Sequence, residues 1–518
     1  MAGGGLVLAV AALEAWLVRP FAGGPAASDA ASSVLYFDRI VAGRTLEAWL
    51  NTTPKPLLTL VYGVLHRLDP SWGLVSLSAV LAGAVGVVLA AEVARRLAGL
   101  PAAAFVIVTL AGSVALDTEM SWAFGLPWAL LLWSAAALMM IGTTRRPAAA
   151  GAFLLLAALV RPETFIVLAV AAGGLVLAWT RGPRPPGRLW LVMIGWLALP
   201  VMCLHDLLLT GDPLWWLSVA PHAVVVGGGR ARSLPGTILL TLGHVKSMWI
   251  LVALAIAGGL LLVVRRAWVA VVGLIALGPL VFAYTWALSA RHIQVLTHYF
   301  HPADMAIVVA AGVAVGAGLD AIVRWLGSPD RTGGLVGRVG GRRVGAGRPG
   351  VALLTIVAVL VSLAAVNTSA FRSAGARNSI GLESRLDARV TALLPVIRAG
   401  LPARAAIDTP ARGSMGSPDD AAVVLSIPAH LLPRMAVDLG LPLTRIAVIG
   451  GGRVDLAAGY PAIDSVVYLD GLIDPASVGP GTASLRVSVA TVVGAVQIVP
   501  IHVDPAERVW IVAIRPAP

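Results

Sequence analysis

The chain of 518 residues is 58% hydrophobic and 12% charged, with a mean hydropathy of +0.88, whereas a soluble globular domain carries roughly 25% charged residues. That composition excludes an ordinary soluble or disordered chain and defines an integral membrane protein. The net charge of +12 comes without a basic-aromatic groove pattern, which argues against nucleic acid as a partner. Cys203 is the only cysteine, which excludes an intrachain disulfide and a cysteine-built metal site.

A helix needs about 20 mostly apolar residues to cross a bilayer. About eleven such runs are predicted, near 4–19, 72–92, 100–116, 121–141, 149–160, 164–180, 189–208, 247–264, 267–288, 303–322 and 351–367. The first reads as an uncleaved anchor rather than a signal peptide, because no Lys or Arg precedes Arg19 and Glu14 interrupts its apolar core. Basic clusters recur at alternate loops: Arg95/Arg96, Arg145/Arg146, Arg181/Arg184/Arg188, Arg265/Arg266, and Arg324 through Arg348. Lys and Arg near span ends are retained in the cytoplasm. The expected protein is therefore a multi-pass protein of the inner (plasma) membrane, with a cytoplasmic N-terminus and everything after about residue 368 outside. The outward loops would then hold Asp38, Glu47, Asp117, Glu119, Glu163, Asp206, Asp212 and Asp304, together with His66, His205, His222, His244, His292, His298, His301, His430 and His502.

Two domains are expected, a polytopic one over 1–367 and an outer one over 368–518, with a Gly- and Arg-rich linker at 327–350. In the distal part the runs AAVVLSI, TRIAVIG, DSVVYL, SLRVSVATVV and VWIVAI are separated by Pro, Gly and Asp, the pattern of strands and turns. With the helix-like ESRLDARVTALLPVIRAG and AHLLPRMAVDLG, they predict a small α/β or α+β domain. VIGGGR, Val448–Arg453, lacks the GxGxxG spacing and reads as a strand running into a turn. The sequons at Asn51 and Asn367 match a pattern common by chance.

The first outward loop, YFDRIVAGRTLEAWLNTTPKPLL, crowds charge between apolar runs. Pro54 and Pro56 fix φ and push Thr53 and Lys55 toward extended geometry, which would hold Lys55 at the membrane surface. Asp38 is open to two readings: a structural carboxylate, starting a helix or pairing with Arg39 or Arg44, or a reactive one. This loop, followed by SAVLAGAVGVVLAAEVARRLAG, LDTEMSWAFGLPWALLLW, LLAALVRPETFIVL and HYFHPADMAIVVAAG in that order, resembles the C-type glycosyltransferases. The resemblance is to the protein O-mannosyltransferase and lipid A aminoarabinose transferase relatives and covers roughly residues 1–320. The family's Asp-Glu pair is Asp38-Arg39 here, and its Lys-Pro-Pro is Lys55-Pro56-Leu57.

The resemblance implies a bacterial, mannosyltransferase-like enzyme that moves a sugar from a polyprenyl-phosphate donor to an envelope glycan, lipid or protein, with inversion. Such a transfer needs a base for the acceptor proton and cations for the departing phosphate. Asp38 is the expected base, with Asp117 or Glu119 orienting it or holding the acceptor. Arg161 with Arg291 or Lys55 is the expected phosphate set, contact with lipid headgroups being the alternative. Glu163, His205, Asp206, His298 and Tyr299 complete the expected acceptor region. No cofactor is expected, and His205/Asp206 and His298/His301 do not lead us to expect a required metal. A non-catalytic scaffold or inactive homologue is the alternative, ahead of a transporter, whose charges would more often lie near mid-span.

Overall fold

The computed structural model describes residues 9–12, 28–46, 55–141, 145–181, 186–216, 233–291, 297–326, 357, 361, 388–401, 423–425, 432–441, 446–448, 465–470, 486, 488–493, 496–506 and 508–518. Outside them lie most of the expected anchor at 4–19 and span at 351–367, the 327–350 linker, Glu47, Asn51, His222, His292, Asn367, His430 and residues 449–453. The side chain of His298 is likewise outside the description.

The membrane part runs, in chain order, through α1 (Ser28–Val41), α2 (Pro56–Leu68), α3 (Gly73–Ala98), α4 (Leu100–Ala111), α5 (Val114–Ser121), α6 (Leu126–Met140), α7 (Pro147–Ala158) and α8 (Thr164–Arg181). It continues with α9 (Pro186–Trp196), α10 (Ala198–Thr210), α11 (Leu234–Ser247), α12 (Trp249–Val264), α13 (Trp268–Leu277), α14 (Pro279–Ala290), a 3-10 turn (Thr297–Phe300) and α15 (His301–Leu326). Proline sets several starts: α2, α4, α6, α7, α11 and α14 each have it in the first two positions. There its missing N–H costs nothing and its φ already suits a helix.

Among the described residues four helical stretches are long and apolar enough to cross a membrane: Gly73–Ala98, Gly187–Thr210, Trp268–Ala290 and His301–Ile322. The count rises to six if the bent pairs α4/α5 and α11/α12 are each one span. Close packing depends on small residues, as is usual between membrane helices. A Cβ at Gly258 of α12 would overlap the Ala310 carbonyl of α15, and one at Gly316 would crowd the Ala98 carbonyl at the end of α3.

The arginine pairs gather at one end of the bundle. Arg96 donates to the Ile141 carbonyl at 3.2 Å and Arg265 to the Leu97 carbonyl at 3.1 Å, which joins the ends of α3, α6 and α12. The start of α3 meets the distal part of the chain instead. Its 26 residues separate those two regions by about 39 Å at 1.5 Å per residue.

The distal part contains a helix at 388–400 (α16), β1 (Val423–Leu425), α17 (Leu432–Leu439), β2 (Ile446–Val448), β3 (Ser465–Asp470), β4 (Thr491–Val493), β5 (Val496–Asp504) and β6 (Val509–Pro516). The sheet order is β2-β1-β3-β6-β5-β4. β1 pairs parallel with β2 and β3, and the β3–β6, β5–β6 and β4–β5 pairs are antiparallel. This is the expected mixed α/β domain. β5 is the strand that the sequence pattern misses, because Pro500 interrupts it; the ladder absorbs the proline with a register shift between Pro500 and His502.

This domain sits on the membrane part through an apolar seam. Leu35 and Tyr36 of α1, with Leu209 and Trp215, pack with Val390, Leu394 and Ile397 of α16 and Met435, Ala436 and Leu439 of α17. A polar pin lies beside it: Trp72 Nε1 donates to Asp438 Oδ1 at 3.0 Å, and Arg434 Nε donates to Asp438 Oδ2 at 3.1 Å.

Candidate active site

The α1 helix begins with Ser28-Asp29, and a carboxylate in a first turn is favoured by the helix dipole. Its residues 30–36 are buried, so the N-terminal half of the helix, which carries Asp29, is anchored. Lys55 precedes Pro56 at the head of α2 with φ −130°, outside the helical region as a residue before proline should be. The Lys55 ammonium pairs with the Asp29 carboxylate, their side chains 12% and 18% exposed.

Arg161 lies in the turn between α7 and α8 and is buried. Its guanidinium is 3.3 Å from Glu163 and 3.6 Å from Glu119, and both carboxylates are buried. Glu119 also accepts from His301 Nδ1 at 2.8 Å, so α5, the Arg161 turn and the start of α15 meet here. Burial penalises the Arg161 charge, yet Glu163 and Glu119 outweigh it and hold the pKa above the usual guanidinium range, with Asp29 adding to the effect. Burial pushes the Tyr299 phenol up to about 12, Glu163 and Asp29 raising it further and Arg161 opposing them. Burial also raises the Tyr36 phenol, with Asp29 and then Asp206 contributing. The Leu57 N–H donates to the Leu159 carbonyl at 3.2 Å, which sets the head of α2, and with it the Asp29–Lys55 pair, next to the Arg161 turn.

Beside this network, His205 Nδ1 is 3.3 Å from Asp206 Oδ1, and His205 Nε2 is 3.2 Å from Thr59 Oγ1. A carboxylate can only accept, so Nδ1–H donates to Asp206 and, in a neutral ring, Nε2 accepts from Thr59. Asp206 also accepts from the Trp216 backbone N–H at 2.7 Å, and the Tyr36 ring stands edge-on to His205 at 6.2 Å. Both ring nitrogens of His205 thus have partners, on α2 and on its own helix.

Of the residues expected from sequence, ion pairs join Glu119, Arg161 and Glu163, Lys55 pairs with Asp29, Tyr299 lies in the 3-10 turn just before His301, and His205 pairs with Asp206. Asp117 is buried on α5, two residues from Glu119, a spacing that does not put two side chains on the same helical face. Asp38 stands apart. It is nine residues beyond Asp29 on α1, about 14 Å along the helix, with a side chain 40% exposed and paired to Arg67 at 3.0 Å. Arg291 is exposed at the end of α14.

Asp29 is the residue that sequence reasoning missed. Its available signal was the small-residue stretch GGPAAS followed by Asp, a helix-start pattern. Among the described residues no group of three or more His, Cys, Asp or Glu side chains is placed to hold a metal.

No protein-family model and no curated protein matches the chain. Among solved structures it is similar to ArnT from Cupriavidus metallidurans bound to undecaprenyl phosphate, with 15% identity and a TM-score of 0.52 over 98% of this chain and 97% of that one. It is also similar to the apo oligosaccharyltransferase of Archaeoglobus fulgidus, with 11% identity and a TM-score of 0.52 over 90% of this chain and 69% of that one. At such identities the likeness is one of fold. The chain shares the fold of these two structures, with apolar helices long enough to cross a membrane followed by a sheet-bearing domain.

Proposed function

We propose that this protein transfers a sugar from a polyprenyl-phosphate donor to a hydroxyl of an envelope glycan, lipid or protein. The observation that carries this reading is the pair of ionic groups, the largely covered Asp29 with Lys55 and the buried Arg161 with Glu119 and Glu163, set within this fold. The undecaprenyl phosphate held by ArnT supports a carrier of that class.

In this reading the acceptor oxygen attacks the anomeric carbon and its proton passes to the Asp29 carboxylate. The bond from that carbon to the phosphate oxygen breaks, and its electron pair leaves with the polyprenyl phosphate. Lys55, as a point charge, and Arg161, as a planar fork, stabilise that phosphate. Attack from the face opposite the phosphate inverts the anomeric centre. Asp29 suits the role better than Asp38 because it pairs with Lys55, one of the proposed phosphate cations, whereas Asp38 is half-exposed and bound to Arg67.

The site would face outward from the plasma membrane, with the sheet domain of 368–518 on the same side and the N-terminus in the cytoplasm. The gathering of the arginine pairs at the far end of α3 supports that orientation. Purified protein in lipid, offered a panel of radiolabelled polyprenyl-phosphate sugars with envelope acceptors, tests the proposal. Label should move to an acceptor from at least one donor, and failure with every donor-acceptor pair would overturn it.

A further inference from the structure

The first turn of α15 is fastened to two different elements. His301 Nδ1 donates to Glu119, and three residues on, Asp304 accepts from His244 Nε2 at 2.8 Å. The Asp304 side chain is 3% exposed and that of His244 15%, and the His244 ring packs 5.1 Å from the buried Phe300. An ionised carboxylate cannot donate, so each imidazole presents an N–H to its partner. The spacing of Asp304 from His301 puts the two side chains on neighbouring positions of one helical face.

The helix that supplies His244 is turned inside out relative to a soluble amphipathic helix. Thr237, Thr241 and His244, spaced by four and three, form its inner stripe. Thr237 bonds Ser289 at 2.8 Å and Thr241 accepts from Trp286 Nε1 at 3.1 Å, so two further contacts hold α11 to α14. Leu239 and Leu242 point outward, 69% and 55% exposed. α11 turns 85° from α12 at Met248, and its His244 reaches the first turn of α15.

We propose that His244 is a positioning residue: by holding Asp304 it fixes the first turn of α15, which sets His301 against Glu119 and Glu119 against Arg161. This rests on the reading of Arg161 as a donor-phosphate cation. Without His244 the buried Asp304 loses its donor, and the turn that carries His301 is free to rotate. Displacements of about 1 Å in a positioning shell can cost about 10²-fold in rate.

The test uses the full chain in lipid nanodiscs with two variants, His244→Leu and His244→Gln, the latter keeping an N–H that can reach Asp304. Imidazole ¹⁵N resonances are recorded with histidine labelling, the His301 signal being assigned by its loss in His301→Gln. Melting temperature, kcat and donor KM are measured beside them. His244→Leu should shift the His301 signal and lower kcat by about 10–100-fold with donor KM little changed, and His244→Gln should restore both signal and kcat. An unmoved His301 signal in His244→Leu would overturn the proposal, as would a kcat that follows the melting temperature in both variants with no rescue by Gln. Should the wild type transfer from no donor, the transferase reading fails by itself, and the His301 signal still decides whether His244 holds the turn.

Discussion

At the scale of single residues, Arg161 is where burial and charge compete most directly. Removing it would leave Glu119 and Glu163 buried without their cation, a kind of loss that costs about 3–5 kcal/mol, so Arg161→Ala would confuse folding with binding. Arg161→Lys keeps the charge and gives up the planar fork. It should insert normally and bind undecaprenyl phosphate about 1.5–3 kcal/mol more weakly, as read by microscale thermophoresis; an unchanged affinity would leave the phosphate to Lys55 or other groups. Lys55, Glu119, Arg161 and Glu163 were legible in the sequence because an ionised side chain within so apolar a chain interrupts a hydrophobic run and needs a reason. Asp29 was not, since Ser-Asp after a small-residue stretch is also the ordinary way to begin a helix. Asp38 is the base that the resemblance implies through the order of elements around the first outward loop; in the structure it lies near the far end of α1, on the side of Arg67.

At the scale of elements, apolar runs located α3, α6, α8 and α15 because hydropathy needs no knowledge of partners. The run near 121–141 in fact starts at Leu126, since Ser113 caps a separate short helix, α5, by accepting from Leu116. α11 was not visible as a distinct element: its polar stripe is buried against α14 and α15, a tertiary contact that one-dimensional periodicity cannot see. The α2–α3 corner offers a test of local chemistry. Asp69 is held below the usual carboxylate range by the Ser71 hydroxyl and the backbone N–H groups of Ser71 and Leu74. A carboxyl whose folded pKa is depressed stabilises the fold above its unfolded pKa of about 3.9, and that stabilisation is lost as pH falls through the folded value. Asp69→Ala should therefore melt below wild type at neutral pH, and the gap should close as the pH is lowered through the folded pKa. A gap that persists at low pH would show that shape, not charge, matters at this corner.

At the scale of the whole molecule, the two ends of α3 organise the account: arginine pairs at one, the sheet domain and the cluster-bearing helices at the other. Alkaline phosphatase fused after about residue 370 should be active and fused at Gly340 inactive, because basic loops are held in the cytoplasm; the reverse pattern would place the cluster on the wrong face. The seam between α1 and α16/α17 seats the distal domain directly on the helix that carries Asp29. Deleting the chain after Ser369 should leave donor binding in place and sharply reduce transfer to the native acceptor, and transfer at the full-length rate would remove any role of the domain in acceptor choice. The central claim is that Asp29, paired with Lys55, takes the acceptor proton. Its most direct test compares Asp29→Asn with Asp38→Asn in purified protein at saturating donor. Asp29→Asn should lower the rate of transfer by about 10²–10⁴-fold with undecaprenyl-phosphate binding retained, while Asp38→Asn should change it little, its exposed pair with Arg67 being worth about 0–1 kcal/mol. Full activity in Asp29→Asn, or a collapse confined to Asp38→Asn, would contradict the account.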